Sequence, residues 1–285
     1  MNKKITPRTI RIIVLQCAIL IVAVAVVGAA INVHREYKST GSRTLLNEIT
    51  TASGVSTTNN SEQMSKTQPA KTTQPAKVVS DYAYAYAGFT PKMISINDTT
   101  ALSEIILNGS NVLPNGYNPK LAEAVKGSDV YLDYRVAPFY QAMYDAALED
   151  GITLTPVSGY RSYELQVSLF EDQIQLETET NDLDRTKATV AAAKEVMIPG
   201  GSEHNAGLAM DICSLSESFE DTDEAAWLRE NAADYGFILR YPKDERSRNI
   251  TKVIYEPWHY RFVGVKAAKE IKAKGVTLEE YLGLA

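Results

Sequence analysis

Cysteine is nearly absent from this chain: of 285 residues only Cys17 and Cys213 carry a thiol. That excludes a thiolate-rich zinc cage. Cys17 also lies in an apolar N-terminal run, so no intramolecular disulfide is expected in the body. Histidine is almost as scarce, with His34, His204 and His259 making three. Basic charge is short as well, with 29 Lys and Arg against 35 Asp and Glu, a net charge of −6. Lys3, Lys4, Arg8 and Arg11 sit together at the N-terminus, and taking those four from the −6 leaves −10 on the rest. Such an acidic body argues against nucleic acid as a partner, because neutralising phosphates needs clustered Lys and Arg. Apolar content is ordinary at 45%, enough for a core in a domain of this length.

One long hydrophobic run is present. Residues 12–31 read IIVLQCAILIVAVAVVGAAI, with Gln16 as the one polar side chain. As a helix such a run spans about 30 Å, the hydrocarbon thickness of a bilayer. The basic flank before it belongs in the cytoplasm by the positive-inside rule. The expected organisation is a cytoplasmic tail (1–11), a transmembrane anchor (12–33) and a flexible extracytoplasmic linker (34–80). A domain follows over 81–285, with its core from about 118. The run exceeds the roughly 7–15 residues of a signal-peptide core. An uncleaved anchor is therefore favoured over a removed leader, although the small residues Gly28 and Ala30 keep cleavage open. The linker, with its near-repeat KTQPA and KTTQPAK, buries too little apolar area to offset its ordering entropy. DYAYAYAGF, next in the chain, reads equally as an edge strand or as the linker's end.

From there the pattern is globular. APFYQAMYDAALEDG predicts a helix with Pro138 near its start, Phe139, Met143, Ala146 and Ala147 on its apolar face and Gly151 as its stop. ITLTPVSGY predicts a strand ending at a Ser158–Gly159 turn. RSYELQVSLFEDQIQL predicts a helix with Leu165, Leu169 and Leu176 on one face. DRTKATVAAAKEV predicts a second helix, ended by Pro199-Gly200-Gly201. DEAAWLRENAADYG predicts a helix stopped by Gly236 before the strand FILRY. KVIYE predicts another strand, and VGVKAAKEIKAKG a helix. Thr277 and Glu280 form a capping box for the last one. Strands and helices mix without a βαβ repeat, so the expected class is α+β with a small, mostly antiparallel sheet flanked by helices.

The scarce histidines stand among other functional side chains, in GGSEHNAGLAMDI and in YEPWHYR. Neutral imidazole and carboxylate are the usual zinc ligands where thiolate is missing, and three protein ligands leave a fourth position open for chemistry. His204, Asp211 and His259 are the candidates. In LAMDI the apolar residues Leu208, Met210 and Ile212 alternate with Asp211, which leaves the strand on the opposite face. His204 lies seven positions before Asp211, so the two converge only if the chain bends, and Gly207 is where a bend is easiest. Glu256, three before His259 and fixed in extended backbone by Pro257, is placed to take a proton from an activated water. Trp258 suits a pocket wall. Arg161, after the strand-end turn, suits an oxyanion or a carboxylate.

Together SGYRSYELQ, SEHNAGLAMDI and EPWHYRFVG resemble the zinc D-Ala-D-Ala carboxypeptidases of the VanY type, from roughly Asn118 to the C-terminus. The pattern S-x-H-x-x-G-x-A-x-D fits at Ser202, His204, Gly207, Ala209 and Asp211. The resemblance implies one zinc ion per chain on His204, Asp211 and His259. It also implies Glu256 as catalytic base and Arg161 as stabiliser of the substrate carbonyl. Gln166, Ser202 and Trp258 match positions that line the peptide site, with Tyr160 and Ser158 beside them. The implied substrate is the peptidoglycan stem peptide, met at the outer face of a bacterial membrane to which the N-terminal helix holds the domain. D,D- and L,D-specificity remain open, as do a wall endopeptidase on the same scaffold and a wall-binding module with a structural zinc.

Overall fold

The computed structural model describes residue 86 and residues 88–285. The basic flank, the apolar run 12–31, the linker and most of the Tyr–Ala run lie outside the described residues. Among the described residues no helix is long and apolar enough to cross a membrane.

A four-stranded antiparallel sheet organises the domain, in agreement with the α+β expectation. Before it come a short parallel pair, β1 (Lys92–Met93) with β2 (Asn111–Val112), and an antiparallel pair, β3 (Leu121–Glu123) with β4 (Tyr131–Asp133). The main sheet takes β5 (Pro156–Ser158), β6 (Ala209–Ile212), β7 (Phe237–Leu239) and β8 (His259–Phe262) in the order β5-β6-β8-β7. Around it run α1 (Ala137–Glu149), α2 (Tyr163–Asn181), α3 (Arg185–Ala192), α4 (Asp223–Asn231), α5 (Glu245–Thr251), α6 (Val265–Lys274) and α7 (Leu278–Tyr281).

Register explains how the sheet carries both a core and a polar site. Asp211 pairs with His259, and Ala209 with Arg261, while Met210 pairs with Tyr260. Successive side chains leave a strand on opposite faces. Met210, Ile212, Tyr260, Phe262 and Phe237 therefore enter one apolar core together with Tyr140 and Met143 of α1. Asp211, His259 and Arg261 share the other face, and all three are buried.

Three local expectations need correction. Helix α1 buries Ala137, Tyr140, Met143 and Ala147, whereas Phe139 is 39% exposed and only leans on Phe262. Helix α2 buries Tyr163, Gln166, Phe170 and Ile174, and Leu165 and Leu176 face outward. Both α2 stripes have helical spacing. The buried one is chosen because Phe170 meets Tyr86 edge-on and the Gln166 amide donates to the Met197 carbonyl. KVIYE is not a strand. Pro257 lacks a ladder donor, the His259 N–H closes a turn onto the Glu256 carbonyl at 3.2 Å, and pairing begins only at His259. Other boundaries shift less: α3 ends at Ala192, before the glycines, while the Thr277–Glu280 capping box is present.

The bend expected at Gly207 is real. Gly207 closes a 3-10 helix, Glu203–Ala206, in left-handed backbone with φ of 67°. A Cβ there would stand 2.6 Å from the Asp133 nitrogen. Gly207→Ala should therefore cost about 1 kcal/mol from the backbone alone, and more from that collision. Urea unfolding checks this, and a change under half that amount would contradict it.

Candidate active site

His204 and Asp211 approach from the two sides of the Gly207 bend. Ser202 caps the 3-10 helix, its hydroxyl accepting from the His204 N–H at 3.3 Å, and β6 then carries Asp211 into the sheet. The Nδ1 of His204 lies 2.7 Å from the Gly159 carbonyl, an acceptor that fixes the proton on that nitrogen and turns Nε2 inward. His204 Nε2, His259 Nδ1 and Asp211 Oδ1 then form a small triangle. Its sides are 3.3 Å between the imidazoles, 3.4 Å from His204 to Asp211 and 3.1 Å from His259 to Asp211.

That triangle fits zinc. Tetrahedral bonds of about 2.0–2.1 Å place neighbouring donor atoms roughly 3.3–3.4 Å apart. The three residues form a buried cluster of donors, and Asp211 Oδ1 has no hydrogen-bond partner among the described residues. A buried carboxylate oxygen in that state calls for a cation.

The electrostatics agree. Burial pushes Asp211 up, but His204, His259 and Arg161 outweigh it and hold its carboxyl well below the usual carboxylate range. Burial pushes the His204 imidazole down, and Arg161 adds to this, which favours the neutral, ligating form. Burial also depresses His259, yet its carboxylate neighbours Asp211 and Glu203 lift it to about 9. That proton on His259 and a metal cation compete for the same negative pocket. Glu256 is pushed up to about 8, above all by burial, with its Oε2 3.5 Å from His259 Nδ1.

Arg161 borders the triangle on another side. Its backbone N–H donates to the His204 carbonyl at 3.0 Å and its Nε to Ser158 Oγ at 2.8 Å, while Nη2 pairs with Asp211 Oδ2. Asp211 thus gives one oxygen to the arginine and keeps Oδ1 for the triangle. A cleft of about 450 Å³ opens over these groups, and Ser158, Arg161, Gln166, Ser202, His204, Asp211, Glu256, Trp258 and His259 all line it. Tyr160 does not. Its backbone N–H donates to the Tyr131 carbonyl of β4 at 2.6 Å. Leu165 and the half-buried Leu169 of α2 form part of the cleft wall.

Sequence reasoning missed what stands behind His259. Glu203, between two residues already singled out, is buried and ion-paired to Arg240 at 2.8 Å and Arg261 at 2.7 Å. One signal was there: Arg240 in the apolar run FILRY needs a buried acid if that run enters the core. Tyr241, also unforeseen, packs its ring 4.9 Å from that of His259.

Fold and site together define a class: an α+β domain in which a small antiparallel sheet, the 3-10 helix before it and the turn at Glu256 gather a His–Asp–His donor set and a buried glutamate at a cleft. The chain belongs to the VanY family, described as D-alanyl-D-alanine carboxypeptidase, whose family model matches residues 129–265. It is similar to the Bacillus subtilis (strain 168) protein YodJ, 40% identical over an alignment 190 residues long that covers 62% of this chain and 65% of YodJ. The chain thus spans just under two thirds of that relative's length. Among solved structures it is similar to a variant of the vancomycin resistance D,D-pentapeptidase VanY from a VanB-type cassette, in complex with Zn(II). That likeness has 38% identity and a TM-score of 0.55, covering 64% of this chain and 99% of that one. It is also similar to the LD-carboxypeptidase LdcB, with 35% identity and a TM-score of 0.56, covering 70% of this chain and 98% of that one.

Proposed function

We propose that this chain is a zinc-dependent carboxypeptidase that removes the terminal D-alanine from peptidoglycan stem peptides. The observation that carries the reading is the donor triangle at tetrahedral spacing, open to a cleft that also holds Glu256 and Arg161. Family membership supports the reaction, and the Zn(II) complex of a VanY relative supports the metal.

His204 Nε2, Asp211 Oδ1 and His259 Nδ1 would hold the ion. When bound, zinc supplies Lewis-acid polarisation of a carbonyl and makes water more acidic. Glu256 takes the proton of the attacking water and returns it to the leaving amine of D-alanine. Arg161, held by Ser158 and Asp211, turns its remaining N–H groups toward the oxygen on which negative charge develops. Gln166 adds orientation. Its Nε2 is committed to the Met197 carbonyl, and its buried Oε1 has no partner among the described residues, an acceptor suited to a substrate N–H. Residues 12–33 anchor the chain in the cytoplasmic membrane as a single span with the N-terminus inside. Residues 34–80 hold the domain out toward the wall. The apolar run and its basic flank support this placement.

The decisive experiment incubates full-length protein in detergent with synthetic tetra- and pentapeptide stems, alongside metal analysis. The expected result is one zinc per chain and release of a single terminal alanine, from the pentapeptide for D,D- and from the tetrapeptide for L,D-specificity. Chelation should stop release and lower the melting temperature, and restored zinc at a hundred times its Kd should return about 2.7 kcal/mol of stability. Internal cleavage of the stem would make the protein an endopeptidase. Tight stem binding without cleavage by the zinc-loaded protein would make it a binding module.

A further inference from the structure

Behind His259 stands a buried network of one carboxylate and two arginines. Glu203 divides its carboxylate between two tasks. Oε1 accepts from Arg240 Nε at 2.8 Å and from Arg261 Nη1 at 2.7 Å, and Oε2 lies 3.3 Å from His259 Nε2. Neither arginine is free to move. Arg261 also donates to the backbone carbonyls of Phe262, Leu102 and Ile105, at 2.9, 3.1 and 2.8 Å. Arg240 is held in a two-pronged pair by Glu279 of α7, at 3.0 and 2.6 Å. The Glu203 side chain is wholly buried, as is that of Arg261. Two guanidinium groups on one oxygen keep this carboxylate ionised and immobile, leaving the other oxygen as an acceptor fixed in space.

We propose that Glu203 is a positioning residue for the metal centre: clamped by Arg240 and Arg261, it holds the His259 ring through Nε2–H, so that Nδ1 directs its lone pair into the space it shares with Asp211 Oδ1 and His204 Nε2, where a cation would sit. Imidazole has one proton to place when neutral, and an acceptor at one nitrogen frees the other for a cation. Glu203 does for His259 what the Gly159 carbonyl does for His204, with the difference that its charge also raises the basicity of the ring. Glu279 makes the last helix part of this support, because it orients Arg240. The inference rests on the reading of His259 as a zinc ligand.

Two measurements on the full-length protein test it. Zinc affinity, measured by chelator competition for wild type and for Glu203→Gln, should fall 10–100-fold in the variant. Nitrogen-15 histidine spectra of zinc-loaded wild type, sparse because the chain has three histidines, should show His259 protonated at Nε2, with that proton exchanging slowly. A folded Glu203→Gln protein with zinc affinity within twofold of wild type overturns the proposal, and so does a His259 protonated at Nδ1 or exchanging at the rate of free imidazole. If Glu203→Gln does not fold, the wild-type spectrum decides. A wild type that takes up no zinc overturns the metal reading and the inference with it, whereas normal zinc uptake by wild type and variant alike overturns the inference alone.

Discussion

Glu256→Ala should lower kcat for stem-peptide hydrolysis by about 10²–10⁴-fold, the range of a positioned general base, while zinc content and fold persist. The side chain is not one of the three donors at the triangle, so removing it leaves the donor set intact. Its carboxyl is pushed up to about 8 mainly by burial, and a cation in the neighbouring triangle opposes that shift by favouring the ionised form. The direction also fixes a stability effect. A carboxyl whose folded value lies above its unfolded value of about 4.5 disfavours folding once ionised. Metal-free wild type should therefore lose stability relative to Glu256→Ala as pH rises from near 4.5 through 8. Turnover and pH-dependent melting check the two halves. Undiminished release of D-alanine by the variant would remove Glu256 from the mechanism.

Arg161→Ala should cost about 10²–10³-fold in kcat, the scale of losing one preorganised oxyanion donor. Arg161→Lys should recover little of it. A compact ammonium cannot serve Ser158, Asp211 and the substrate oxygen at once, as the planar guanidinium can. The variant also leaves the buried Asp211 without its arginine, so the metal-free protein should melt earlier. Zinc should return most of that loss, because the ion becomes the partner of the carboxylate. Steady-state kinetics and melting curves with and without zinc separate the two effects. A raised KM with unchanged kcat would make Arg161 a grip for the substrate rather than a stabiliser of developing charge.

Legibility differed sharply between the site and its frame. His204, Asp211 and His259 stood out because alternatives were missing: few histidines, no thiolates, and an aspartate inside an apolar strand. Gly207 could be identified as the bend because odd spacing along a strand sends two side chains apart unless the backbone turns. The α+β class followed from the mixed periodicities. The buried face of α2 did not. Leu165-Leu169-Leu176 and Tyr163-Gln166-Phe170-Ile174 both have helical spacing, and hydrophobicity favours the wrong one. The right one includes a glutamine whose burial is compensated by the Met197 carbonyl, distant in sequence. The strand at His259–Phe262 was hidden likewise, because its pairing partners lie in β6 and β7 and its own residues include His259 and Arg261.

Residue type alone singled out His204, Asp211 and His259 as candidate donors, and strand periodicity alone located the turn at Gly207 that lets them meet. How each donor faces is set by contacts from distant parts of the chain. The ring of His204 is oriented by the Gly159 carbonyl, 45 residues away, and that of His259 by Glu203, 56 residues away. Which imidazole nitrogen carries the proton depends on the acceptor across from it, and local sequence does not encode what packs opposite a side chain.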